Sequence, residues 1–178
     1  MAIPSPTSVN SIAVDQLRTL FARSATLQAE TGGSEAAAKN HIYFGATPSI
    51  EDQSTFPRPL FVVGLTEDFR YHMIAGGERN QLRPHGTLAF YGIRNTPSQY
   101  VTANSCDYPA AEINHMNFFG GVLDDIAALA GWDDNLSVTD IEMKTFGEVE
   151  PSYWSELGRF YFCTGAIYWG DRSYRGGH

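Results

Sequence analysis

The chain has 178 residues and a mass of 19.6 kDa, with 43% hydrophobic and 18% charged residues, which excludes an intrinsically disordered protein and fits one domain with its own core. Twelve Lys and Arg against twenty Asp and Glu leave a net charge of -8, which argues against a protein that grips nucleic acid through a generally basic surface. No run approaches the roughly 18 continuous apolar residues of a membrane span, and Met1–Ser8 lacks the basic and apolar regions of a signal peptide, so the expectation is a protein made and used in the cytosol, with no membrane partner.

Residues 1–10, with Pro4 and Pro6, read as an extended N-terminal arm. From Ser11, an expected N-cap, Val14, Leu17, Leu20, Phe21, Ala25 and Leu27 recur at helical spacing as far as Gly32-Gly33. Ser34 caps a second, shorter helix through Glu35–Lys39, after which Ile42-Tyr43-Phe44 turns to strand character. Gly45–Pro59 has the composition of a loop. Leu60–Leu65 and Phe69–Ile74 read as two strands of a hairpin turning around Thr66-Glu67-Asp68, and Thr87–Arg94 as a third strand buried on both faces. Asn95–Tyr108 is loop-like again.

A long helix follows from Pro109 to Ala130, closed by Gly131. Its expected inner stripe is Ile113, Met116, Phe119, Leu123, Ile126, Ala127 and Ala130, with Asn114, Asn117, Asp124 and Asp125 off it. Gly120-Gly121 weakens that helix, so close approach of another backbone is expected there. Leu136–Phe146 alternates as a strand with one wet face, and Arg159–Trp169 is aromatic on both faces, as in a central strand or one covered by a partner chain. Residues 171–178 form a polar, flexible tail. The fold class is therefore α+β: one mixed, mainly antiparallel β-sheet packed against a long helix and one or two N-terminal helices, in a single domain spanning residues 11–170.

Signatures of catalysis are missing: there is no GxGxxG, Walker A, GxSxG or HExxH. Asp133-Asp134-Asn135 begins like a calcium loop, but Val138 stands where glycine is required and Lys144 where the closing glutamate belongs. Cys106 and Cys163 form no CxxC pair or zinc cluster, and both read as reduced, Cys163 as a small buried hydrophobe. His72 and His85 could meet across a sheet, but ordinary strand or loop positions account for them better. No catalytic residue, cofactor or metal site is assigned.

Charge placement carries more information. Residues 1–106 are electrically balanced, residues 107–156 hold eleven acids and one base for a net of -10, and residues 157–178 return to +2. Arg70, Arg79, Arg83 and Arg94 cluster around the central strands, while Asp124, Asp125, Asp133 and Asp134 concentrate on and after the long helix. Such a split suits head-to-tail assembly, acidic face to basic face; an acidic surface kept for solubility is the competing explanation. Arg70, Arg79, Arg83, Tyr153 and Trp154 are the candidate interface residues, with Tyr100 a further loop aromatic in want of a partner.

Several segments carry a family resemblance: the first helix ending Leu27-Gln28-Ala29, the Ala-rich second helix before His41-Ile42-Tyr43, Arg58-Pro59-Leu60-Phe61-Val62-Val63, Gly86-Thr87-Leu88-Ala89-Phe90, Phe118–Ile126, and Tyr168-Trp169-Gly170. Together they resemble the small neck proteins of tailed bacteriophages, the tail terminators and head-tail connectors. The resemblance spans most of the chain in element order and rests on helix and strand patterns, without a catalytic motif. It implies a non-enzymatic structural protein of the virion, assembled in the host cytoplasm, whose ring, typically a homo-hexamer, caps the tail tube and meets the head connector. Its implied partners are itself, the tail tube protein and a portal-side protein, with DNA passing through unbound. Asp124, Asp125, Asp133 and Asp134 would then form an acidic surface or lumen that repels phosphate. The terminator matches the compact helix-sheet plan better than the connector. The competing classes are an enzyme using His72, His85 and a carboxylate, and a monomeric adaptor.

Overall fold

In the computed structural model, which describes residues 9–45, 57–74, 81–102, 105–129, 136–148 and 159–171, the chain opens with helix α1 (Val9–Arg23). Ser11 therefore lies within the helix instead of capping it. The expected single helix also breaks at Ser24, whose backbone leaves the helical region (φ -57°, ψ 122°) and whose hydroxyl accepts from Leu27 N at 3.1 Å to cap α2 (Ala25–Thr31). Gly32 ends α2 in the left-handed conformation at φ +107°, a shape that glycine takes without a Cβ penalty. Ser34 caps α3 (Glu35–Lys39) as expected, accepting from Ala37 N at 3.2 Å.

Strand β1 (Ile42–Phe44) runs parallel to the start of β2 (Leu60–Ile74). The expected turn at Thr66-Glu67-Asp68 does not form. Those three residues are taken up in a bulge opposite Thr87, and β2 continues as one 15-residue strand whose antiparallel partner is β3 (Gln81–Asn95). After a 3₁₀ turn at Ser98–Tyr100, the short pair β4 (Val101–Thr102) and β5 (Ser105–Cys106) leads into helix α4 (Tyr108–Leu129). Strands β6 (Leu136–Glu148) and β7 (Phe160–Asp171) complete a mixed five-stranded sheet of order β1-β2-β3-β7-β6, in which only the β1–β2 pair is parallel. The α+β architecture expected from the sequence is the one observed. β7 is an interior strand between β3 and β6, which accounts for its two apolar faces; of the expected arm (residues 1–10) and tail (residues 171–178), Val9 and Asn10 belong to α1 and Asp171 to β7, and the rest lie outside the described residues.

The helices cover one face of the sheet. Phe21 sits between Phe61 and Phe90 at ring-centroid distances of 4.9 and 5.7 Å, and Phe119 meets Phe61 edge-on at 6.1 Å. A smaller cluster of Leu60, Val62, Ile93 and Phe160, with Tyr43 and Tyr91 at its margin, lies on the other face.

Helix α4 is rotated relative to its expected stripe. It buries Ala111, His115, Phe118, Phe119, Val122 and Ile126, and leaves Ile113 59% and Met116 48% exposed. Polar tethers set that rotation: Asn114 and Asp125, expected to point away, are the residues that bind β3 and α2. At Gly121 the close approach is by a side chain, with Thr26 Oγ1 3.1 Å from where a Cβ would stand, while Gly120 faces open space.

Candidate assembly surfaces

The most concentrated charge in the interior lies where α2, β3 and α4 meet. Arg94 is 7% exposed and forks onto Glu30: Nε donates to Oε2 at 2.8 Å and Nη2 to Oε1. Its Nη1 donates to Asn114 Oδ1 at 2.7 Å, and the guanidinium lies 4.5 Å from the Phe118 ring centroid. The same Nη1 stands 3.5 Å from His115 Nδ1. A guanidinium only donates, so Nδ1 is the acceptor, and Nε2 carries the proton that goes to Thr96 Oγ1 at 3.2 Å. His115 is fully buried and stacked 4.3 Å from Tyr161; burial, reinforced by the Arg94 charge, pushes its pKa down to about 3. The imidazole is neutral at physiological pH.

This constellation binds three elements to one another, with Arg94 and His115 buried and Glu30 reaching in from the surface. It also changes the reading of Arg94, which belongs to the interior and is committed to Glu30 instead of joining a basic assembly surface. Among the described residues, no three His, Cys, Asp or Glu side chains gather as a metal ion would need. The cleft between α1 and the sheet, lined by Leu17, Leu88, Ile167 and Trp169, holds about 20 Å³, against the several hundred of a small-molecule site. The register sets His72 opposite Arg83 and His85 opposite Arg70, so the two histidines are offset by two residues.

The acidic residues of α4 separate into two roles. Asp124 is exposed. Asp125 is turned inward: its Oδ2 accepts from Ser24 Oγ at 2.7 Å and from Thr26 N at 2.9 Å, completing the N-terminus of α2. Burial acts to raise the Asp125 pKa, but the hydrogen bonds from Thr26 and Ser24 outweigh it and hold the carboxyl below its ordinary value. Asp125 is thus a structural tether instead of part of an open acidic surface. On edge strand β6, Asp140, Glu142 and Lys144 are exposed, and Glu142 accepts from Tyr168 Oη at 3.1 Å. Asp133 and Asp134 lie outside the described residues.

The candidate interface residues Arg70 and Arg83 lie on the β2–β3 hairpin near its far end. β7 pairs with β3 only from His85 to Asn95, so the segment Tyr71–Ile74 with Gln81–Pro84 pairs with itself alone among the described residues. Pro84, which has no N–H to offer a third strand, falls just where the pairing with β7 stops. Arg79, Tyr153 and Trp154 lie outside the described residues. Tyr100, expected as a loop aromatic in want of a partner, packs half-buried against the core.

Sequence reasoning missed one surface. Ile113 and Met116 are 59% and 48% exposed on the outer face of α4, and Tyr108, 44% exposed at the helix start, lies beside Arg159, whose Nη1 donates to its hydroxyl at 3.2 Å. The apolar character of Ile113 and Met116 was legible in the sequence, but helical spacing alone assigned it inward. Comparison with protein-family models gives no match to this chain, and comparison with curated proteins gives none either.

Proposed function

We propose that this chain is a ring-forming structural protein of the tailed-phage neck, a tail terminator that stops growth of the tail tube and joins it to the head connector. The observation that supports this reading best is the two-stranded end of the β2–β3 hairpin, which among the described residues has no third strand beside it beyond His85. A two-stranded ribbon is marginal in water on its own, which suits a subunit completed by a neighbour. The split of charge, with a net of -10 confined to residues 107–156, favours unlike faces meeting in a closed heterologous ring.

The deciding experiment is electron microscopy of particles made without this protein, paired with mass measurement of the purified chain alone and with tail tubes. Overlong or headless tails, together with a ring in solution or on tubes, are the expected result. DNA-filled heads lacking any tail would move the protein to the portal side as a connector. Normal particles would remove it from the neck altogether.

A further inference from the structure

Helix α4 has a second apolar seam besides the one that faces the core. Pro109, Ile113, Met116, Gly120, Leu123 and Ala127 recur at alternating steps of four and three, the heptad spacing by which one helix packs along another. None of them belongs to the set that α4 buries. Ile113 and Met116 are 59% and 48% exposed, Pro109 and Ala127 are exposed, and Gly120 and Leu123 are half-buried, Leu123 at the margin of the core. Gly120 is the telling position. Glycine weakens a helix interior, and whereas Gly121 makes room for Thr26, a Cβ on Gly120 would meet nothing within 4 Å, so its own chain gives no packing reason for glycine there.

The seam reads alike from either end, with its midpoint at residue 118. Laid antiparallel on the same seam of a second copy, it sets Met116 against Gly120 of that copy, Ile113 against Leu123 and Pro109 against Ala127, each layer occurring twice about a two-fold axis. The flexible thioether then falls where the absent side chain leaves a hole for it. A parallel pairing would set Met116 on Met116 and Gly120 on Gly120, crowding one layer and emptying another.

Charge favours the antiparallel direction as well. Helix α4 carries no basic residue in its last turn, and the antiparallel arrangement brings Arg159, bound to Tyr108 at the start of α4, alongside the C-terminal end of the other helix. The exposed acids Glu112 and Asp124 flank opposite edges of the seam, and like edges meet in an antiparallel pair. Each acid and its symmetry mate are then offset by about 18 Å along the axis at helical rise, beyond the screening length of about 8 Å at physiological salt.

We propose that α4 pairs antiparallel with α4 of a second copy of this chain, about a two-fold axis at residue 118, with Met116 seated on Gly120. The contact is isologous and closes at two, so it goes beyond the ring reading and doubles whatever assembly a chain or a ring presents.

The test uses the full-length chain. One helix pair buries less than the roughly 1,200 Å² at the low end of specific interfaces, so analytical ultracentrifugation should show mass doubling with a midpoint on the order of 10–100 μM. Gly120→Met should raise that midpoint at least about tenfold. It should melt at or above the wild-type temperature at low concentration, because its Cβ meets no neighbour and methionine favours a helix. Adding Met116→Ala exchanges the large and small residues within the layer, and the double variant should return to within about threefold of wild type. A midpoint unmoved by Gly120→Met, or a double variant no better than the single one, overturns the seam. So does a wild-type mass that stays constant up to about 1 mM. The neck reading is tested separately in particles, so either can fail alone.

Discussion

Lowering the pH from 7 to 4 should cost the fold about 3 kcal/mol through His115 alone. The unfolded chain presents an ordinary histidine of pKa 6.5, whereas in the folded protein the ring is held near 3 by burial and by Arg94. Between those values the unfolded state takes up a proton that the folded state refuses, so the stabilisation is complete above pH 6.5 and shrinks as the pH falls towards 3. Each pH unit in that window is worth about 1.4 kcal/mol, giving about 3 kcal/mol at pH 4. Urea denaturation of wild type and His115→Gln at pH 7, 6, 5 and 4 isolates this share, because the carboxylates titrate alike in both. Glutamine keeps one acceptor and one donor for Arg94 and Thr96 but cannot bind the proton. The variant should be less stable at pH 7 by about 1–3 kcal/mol, and its curve should close on the wild type as the pH drops. Parallel curves over the whole range would show that His115 is not held neutral by its surroundings.

Three further outcomes follow from the packing and hydrogen bonds. Gly165→Ala would drive a Cβ into the Glu142 carbonyl oxygen and the Phe90 ring, so chemical denaturation should register a loss of about 3 kcal/mol or more, and an unchanged midpoint would contradict the β6–β7 register. Asp125→Ala removes the bonds to Ser24 and Thr26 and should cost about 1–2 kcal/mol, whereas Asp124→Ala, one residue away and exposed, should stay within about 0.5; equal losses would refute the tether. The Asp125 contribution is present above the ordinary carboxyl pKa of 3.8 and is lost as the pH falls through the lowered folded value, which separates it from the His115 effect. Thiol titration of the native protein should show one fast group, Cys106, while Cys163, 1% exposed and pushed up to about 12 by burial, should react only on unfolding; a fast group that survives Cys106→Ser would overturn this assignment.

Features set by neighbours within a few residues were legible in the amino-acid order. The Ser34 cap, the glycine stop after α2, the burial of Leu88 and Phe90 and the interior position of the closing aromatic strand follow from local spacing and composition, whereas the opposite face, Thr87, Ala89 and Tyr91, expected buried as well, is only half-buried. The uneven charge is likewise a property of the order alone.

What periodicity missed were contacts between residues far apart in the chain. The break at Ser24 depends on Asp125, 101 residues away, which supplies the carboxylate that completes the α2 N-terminus. Arg94 reads as one more surface arginine until Glu30, 64 residues earlier, is found paired with its buried guanidinium. Thr66-Glu67-Asp68 carries the composition of a turn, yet β3 offers 15 residues of partner strand, and continuing the ladder through a bulge satisfies more backbone than ending it. The rotation of α4 belongs to the same class. A hydrophobic stripe is an average over a helix, and the inward pull of Asn114, His115 and Asp125 on their distant partners turned Ile113 and Met116 outward.

The sequence by itself thus determined the helix-and-sheet class and the polarity of charge, because these arise from local spacing and from composition. Only the tertiary structure decided which charges are committed inside and which apolar residues remain outside. Those depend on pairings between distant residues, whose desolvation and geometry exist only once the chain has folded.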